Sequence, residues 1–331
     1  MNSMFLTALL TYTCLACLVS GLAPADLSKR IYGGYALPEF QAPFEVSVAT
    51  IKGKEVSACG GTLISSSHVV TAAHCLVPYK ASYPVKVGYS SQNKSEQTVV
   101  QATKVTIHPK YLANSEDGRY DIAILEIPRV TFNKQTQRIP IYSSKINIGQ
   151  ELLAVGWGKT ENTSTHRDAL RATAIIIGDY KTCRQFKSNF QANNDPRVCA
   201  LGKLTPGDGI CMGDSGSSVS LENNGQQYYV GIGSRMNFLN GAGCGDKDSA
   251  SFFVHVWYFL DYIVQNTGLS REYLLGLDSE STSPSAPAYT ALPATTSKPT
   301  TSACTTPSPT VSDMDMVTVT ITEYLIRTAW P

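Results

Sequence analysis

From Ile31 to about Gly268 the apolar residues recur at every second position in short runs, and turn-forming residues interrupt each run before it grows long. Phe44-Glu45-Val46-Ser47-Val48, Val85-Lys86-Val87, Val99-Val100 and Lys104-Val105-Thr106-Ile107 have the period of half-buried strands, and Ile122-Ala123-Ile124-Leu125 reads as a more buried one. The pattern predicts an all-β sandwich or barrel without choosing between them. Only Val256 to Gln265 is long enough to suggest a helix. A hydrophobic share of 43% over 331 residues is ample for a buried core.

Three stretches of this region carry groups that could do chemistry together. Gly209-Ile210-Cys211-Met212-Gly213-Asp214-Ser215-Gly216 sets a serine among glycines. A serine hydroxyl is a poor nucleophile unless a base takes its proton and N–H groups hold the oxyanion that forms. The glycines let the backbone approach a substrate carbonyl, and the N–H groups of Gly213 and Ser215 are the candidate oxyanion hole. Alone, Gly-Asp-Ser-Gly is also an ordinary turn composition. Upstream, Val69-Val70-Thr71-Ala72-Ala73-His74-Cys75 ends an apolar run in a histidine, and Tyr120-Asp121 opens a strand-like run with a carboxylate. Taken singly, His74 reads more readily as a packed histidine beside a disulfide cysteine, and Asp121 as a turn cap.

Together the three stretches resemble the trypsin/chymotrypsin family of serine endopeptidases. His74 matches the family's TAAHC histidine, Asp121 its DIAL aspartate and Ser215 its GDSGG serine, in the family's order. Gly156-Trp157-Gly158 matches its GWG, and Ile31-Tyr32-Gly33-Gly34 resembles its IVGG. The resemblance implies two packed six-stranded antiparallel β-barrels with the triad in the cleft between them, and a C-terminal helix against the second barrel. It implies that Ser215 attacks, that His74 takes its proton and later gives it to the leaving amine, and that Asp121 orients the imidazole. It pairs Cys59 with Cys75, Cys183 with Cys199 and Cys211 with Cys244, leaving Cys14, Cys17 and Cys304 over. It also makes Lys29-Arg30 an activation site. Cleavage after Arg30 would free the amine of Ile31 to pair with Asp214, and that buried ion pair would order the oxyanion loop. Ser234, in Gly231-Ile232-Gly233-Ser234, resembles the residue that starts the substrate-binding edge and supports the buried aspartate.

Departures from the family pattern bear on substrate choice. Trypsin-like members carry an aspartate six residues before the nucleophile, at the floor of the P1 pocket; here that position is Gly209, with Asp208 one residue too early. Ser251 matches the other floor position. A basic P1 side chain would be desolvated there without compensation, so an uncharged P1 is expected. Arg235 and Met236 stand where many members have Trp-Gly, and Met236 at the pocket mouth favours small or medium apolar P1 residues. Ser217-Ser218 replaces the usual Gly-Pro. Tyr89 stands where the family's calcium loop has an acid, so no calcium requirement is expected, and no other metal and no cofactor is expected either.

The flanks and the composition complete the expectation. Residues 1–25 read as a signal peptide ending at Ala23-Pro24-Ala25, 26–30 as an activation propeptide, 31–268 as the protease domain and 269–331 as a Ser/Thr/Pro-rich disordered tail. Nine widely spread cysteines suit disulfides in an oxidising compartment. Asn93-Lys94-Ser95 and Asn162-Thr163-Ser164 fit the N-glycan acceptor pattern. A formal charge of +1 predicts no pull toward nucleic acid. The chain is thus expected to be a secreted, extracellular monomer without a membrane anchor, its partners being protein or peptide substrates and protein inhibitors. The competing expectation is a catalytically silent homologue that kept the fold and serves as a binding or decoy protein.

Overall fold

The computed structural model describes residues 34–116, 118–159, 169–203 and 207–278. The leader, Arg30, Ile31, Asn162, Cys304 and the tail from residue 279 onward lie outside the described residues. Strands β1 (Tyr35–Ala36), β2 (Glu45–Lys52), β3 (Glu55–Ser65), β4 (His68–Thr71), β5 (Val85–Tyr89), β6 (Thr98–Gln101), β7 (Lys104–Ile107) and β8 (Ala123–Glu126) come first. Then follow β9 (Glu151–Gly156), β10 (Arg171–Ile177), β11 (Arg197–Gly202), β12 (Ser218–Asn223), β13 (Gln226–Phe238) and β14 (Ser249–His255).

They form two antiparallel sheets, ordered β6-β5-β2-β3-β4-β8-β7 and β1-β10-β11-β14-β13-β12-β9. The second closes into a six-stranded barrel because β9 also pairs with β10, from Gly156↔Arg171 to Glu151↔Ile176, with β1 as an extra strand beside β10. In the first, the two edges are consecutive in the chain. The Ala102 N–H bonds the Val85 carbonyl and the Thr103 N–H bonds the Glu126 carbonyl, each at 2.8 Å. β6 and β7 are therefore halves of one bent segment that curls this sheet round its own core.

Alternation decides which face each strand buries: in β2, Val46 and Val48 turn inward while Ser47 and Ala49 are only half-buried. β8 is buried at three successive residues, Ala123, Ile124 and Leu125, as its continuous apolar run requires. One cluster of buried side chains joins Val46, Val69 and Leu125 of the first barrel to Trp157, Tyr229 and Ile232 of the second. A separate cluster, including Leu152, Ile175, Val198 and Phe253, fills the second barrel. Disulfides Cys59–Cys75, Cys183–Cys199 and Cys211–Cys244 span 16, 16 and 33 residues. Loops of this size are worth about 3 kcal/mol each.

Three features differ from the expectations. Pro109–Ala113 and Tyr180–Phe186 are helices that the periodic pattern missed, since at 5 and 7 residues neither completes an apolar face. The C-terminal stretch begins as a 3-10 turn, Val256–Phe259, and continues as the helix Leu260–Thr267, stopped by Gly268 in the left-handed conformation. It lies against the first barrel, not the second: Phe259 and Tyr262 meet His108 at 5.5 and 4.5 Å between ring centroids, and Phe259 meets Tyr120 at 5.9 Å. The folded unit also runs past Gly268. Helix Arg271–Leu275 buries Leu274, whose carbonyl accepts the Ile141 N–H at 2.8 Å, while Arg138 donates to the Tyr273 carbonyl at 2.8 Å. Residues 269–278 therefore belong to the globule rather than to the tail.

Candidate active site

Antiparallel pairing of β4 with β8 sets the end of one beside the start of the other, Thr71 opposite Ala123. His74, on the short turn Ala73–Cys75 after β4, and Asp121, just before β8, consequently meet at one end of the first barrel. The Cys59–Cys75 disulfide ties that turn to β3. Asp121 is 3% exposed and receives three donors. The His74 backbone N–H reaches Oδ1 at 2.8 Å, while His74 Nδ1 and Ser234 Oγ reach Oδ2 at 2.7 and 2.5 Å. Burial pushes this carboxyl upward, but the hydrogen bonds and charge of His74 and the Ser234 hydroxyl more than reverse that, leaving it below its ordinary range. With Nδ1 donating to Asp121, a neutral imidazole presents Nε2 as an acceptor. Ser234 owes its direction to an irregularity between Gly233 and Arg235, where β13 slips register against β14 and one residue leaves the ladder.

The Ser215 turn is built by the second barrel and clamped by the first. Gly213 and Gly216 have φ of 98 and 81°, values that side chains other than hydrogen rarely allow, and the Ser217 N–H closes the turn onto the Asp214 carbonyl at 3.1 Å. The Ser215 carbonyl accepts the Gly60 N–H of β3 at 2.8 Å, and the Gly216 N–H donates to the Gly233 carbonyl of β13 at 2.7 Å, next to Ser234. His74, Asp121 and Ser234 are thus joined by direct hydrogen bonds. The backbone of the Ser215 turn is tied to Gly60 of the first barrel and to Gly233, the neighbour of Ser234, in the second.

Asp214 explains the Gly-Trp-Gly stretch. Its carboxyl, fully buried, accepts the Gly158 N–H at 2.7 Å and the Cys211 N–H at 2.8 Å. A Cβ on Gly156 or Gly158 would lie 2.1 or 2.5 Å from that carboxyl, so neither position has room for a side chain. Burial raises Asp214 to about 7, against the pull of the two N–H groups and of the Lys94 charge.

Gly209 and Ser251 face each other: a Cβ on Gly209 would come within 2.4 Å of Ser251 Oγ, which also accepts the Ile210 N–H at 3.3 Å. Met236 is the cross-strand partner of Ser251, and Arg235 that of Phe252. The exposed Arg235 side chain extends away toward Gly118, where its guanidinium comes within 3.9 Å of a Cβ built there. Cys59, His74 and Cys75 bring two sulfurs and a ring nitrogen within 4.8 Å, but the sulfurs are bonded to each other and offer no thiolate to a metal. One residue against the Ser215 turn was not singled out from sequence: Glu45, a buried acid on β2 that bonds Ser218. In the alternation of β2, Glu45 falls out of step with the inward Val46 and Val48, so no local pattern marked it as buried.

A two-barrel fold with a His-Asp pair and a Gly-Asp-Ser-Gly turn between the barrels defines the class, and the family model described as trypsin matches residues 31–263. The chain belongs to the trypsin family of serine proteases, hydrolases that act on protein substrates. Trypsin 5G1 of Aedes aegypti is 32% identical over 245 residues, covering 73% of this chain and 86% of that protein. Chymotrypsin-like elastase family member 1 of Felis catus is 30% identical over 247 residues, 72% of this chain and 90% of the relative. Trypsin I-P38 of Gallus gallus is 31% identical over 240 residues, 71% and 88%. No described helix is long and apolar enough to cross a membrane.

Proposed function

We propose that the chain is a secreted serine endopeptidase made as a zymogen. Ser215 Oγ attacks the substrate carbonyl carbon while His74 Nε2 takes its proton. The N–H groups of Gly213 and Ser215 hold the oxyanion. His74 then protonates the leaving amine, and water, activated by the same base, hydrolyses the ester. Asp121 fixes the imidazole tautomer and stabilises its charged form. The observation that carries this is the Asp121 carboxyl, held by both the backbone N–H and the Nδ1 of His74 at 2.8 and 2.7 Å.

Activation is cleavage after Arg30, so that the Ile31 amine supplies the cation that buried Asp214 lacks; a carboxyl raised to about 7 is one that an arriving amine would ionise. P1 is uncharged and small or medium in size. Gly209 and Ser251 give the floor no fixed charge, and Met236 stands beside them, with Arg235 further along the same edge. Relatives named trypsin and relatives named elastase are about equally similar, so the names favour neither specificity. Residues 1–25 are the signal peptide and 279–331 the tail. Asn93, at one end of the turn Lys94–Glu96, is the described glycan acceptor.

The test is an active-site fluorophosphonate on protein cut after Arg30. Labelling at Ser215, lost in Ser215→Ala and absent from the uncut chain, is expected. No label on the cut protein would leave the decoy alternative standing, and a P1 library preferring Arg or Lys would overturn the account of Gly209.

A further inference from the structure

β2 opens with a glutamate, Glu45, that is only 5% exposed. Its side chain crosses from the first barrel to the segment just past the nucleophile, where the Ser218 N–H and Oγ both donate to Oε2, at 3.1 and 2.7 Å. Ser217 lies against the same carboxyl: a Cβ on Gly60 would meet Ser217 Oγ at 1.9 Å and Glu45 Oε1 at 2.8 Å. Gly60 itself donates to the Ser215 carbonyl at 2.8 Å. One small patch of the first barrel therefore grips Ser215, Ser217 and Ser218. The departure from the family's Gly-Pro now has a physical sense. Proline has no N–H and glycine no hydroxyl, so Ser217-Ser218 supplies donors that the usual pair could not offer a carboxyl.

We propose that Glu45 is a positioning residue, whose carboxyl holds Ser217-Ser218 so that Ser215 stays aimed at the substrate. This rests on the reading of Ser215 as nucleophile. Burial raises Glu45 to about 8, the Ser218 and Ser217 hydrogen bonds opposing the rise and the Asp214 charge adding to it. Near neutral pH the group is held largely as the carboxylic acid, with Oε2 accepting from Ser218. Glu45 Oε1 and Ser217 Oγ are both buried, and neither makes a hydrogen bond of good geometry among the described residues. The titratable groups that face Glu45 are Asp214 on the nucleophile turn and Tyr229 on β13, and ionised Glu45 would repel the first of these.

The experiment measures kcat, KM and fluorophosphonate labelling across pH for the cut protein, Glu45→Leu and Glu45→Gln, with thermal melts as a fold control. Glu45→Leu is expected to lose about tenfold or more in kcat with KM within about twofold. Glu45→Gln, whose amide offers the same acceptor and donor, should stay within about twofold of wild type at neutral pH. It should also lack the fall in kcat that wild type shows as Glu45 ionises near pH 8. A folded Leu variant with wild-type kcat overturns the proposal, as does a Gln variant whose alkaline fall matches wild type. If the Leu variant does not fold, the alkaline limb of the Gln variant decides alone. Wild type that takes no label at Ser215 breaks the enzyme reading, and this proposal with it.

Discussion

Asp121 on the first barrel and Asp214 on the second are both buried aspartates, 3% and 0% exposed, yet they sit on opposite sides of the ordinary carboxyl value. Burial drives both upward. Asp121 is brought down again by an imidazole that can carry charge, a hydroxyl and a backbone N–H. Asp214 has two backbone N–H groups and the distant help of Lys94, and stays at about 7. The first corner of the cleft is electrostatically complete, its donors outweighing burial, whereas at the second burial outweighs the donors present. Their contributions to stability consequently run in opposite directions with pH. Asp121, depressed, favours the fold above 3.8 and loses that as pH falls through its lowered pKa. Asp214, raised, favours the fold below 3.8 and loses that as pH climbs through about 7.

Breaking the complete corner should cost most. In Asp121→Asn the amide nitrogen competes for the place opposite Nδ1, so the imidazole settles in the wrong tautomer, and kcat should fall about 10⁴-fold, the size this change has in the Ser-His-Asp template. A loss under about tenfold would mean that His74 is oriented by something other than this carboxyl. Asp214→Asn comes next. In cut protein no ion pair can form, and kcat should drop about a hundredfold or more. In uncut protein the same change should remove a pH dependence: wild type loses stability between about pH 4 and 7 relative to the variant, by on the order of a few kcal/mol in denaturant titrations. Equal pH dependence in the two proteins would show that Asp214 already has its cation before cleavage. Gly158→Ala, whose Cβ would lie 2.5 Å from the Asp214 carboxyl, should destabilise by about 2 kcal/mol and lower Tm accordingly.

Those glycines also show why the site was legible in sequence while other parts of the fold were not. Gly158 and Asp214 are 56 residues apart, and the buried Asp214 carboxyl leaves position 158 no room for a side chain, so the glycine marks a contact that the sequence alone can show. His74, Asp121 and Ser215 are readable because each lies in a short stretch that matches a motif of the family. Glu45 was illegible in that sense. Its partner Ser218 lies 173 residues away, and an acid at the start of a strand reads as an exposed end until the second barrel is seen to cover it. The alternating runs revealed strands but not that β6 and β7 are one bent segment, since closure depends on which carbonyls lie on either side. The C-terminal helix was likewise visible by length. The barrel it covers is decided by the aromatic contacts of Phe259 and Tyr262 with His108, which no local pattern encodes.

Ser234→Ala should have the smallest effect, and it asks how far the first corner is self-sufficient. The hydroxyl is one of three donors to Asp121 among the described residues, and the only one of them contributed by the second barrel. The two donors from His74 survive its removal, so the tautomer is kept and KM should not move. What is lost is one charge-assisted hydrogen bond, about 1.5 kcal/mol, which predicts a fall in kcat of about tenfold. Because that hydroxyl helps to hold Asp121 down, the variant should also lose stability at a higher pH on acidification than wild type does. An unchanged kcat and an unchanged acid limb would show that the first barrel holds Asp121 alone, widening the contrast with Asp214. A loss of about a hundredfold or more would mean instead that the register slip at Ser234 carries part of the alignment, and that neither corner is complete without the other barrel.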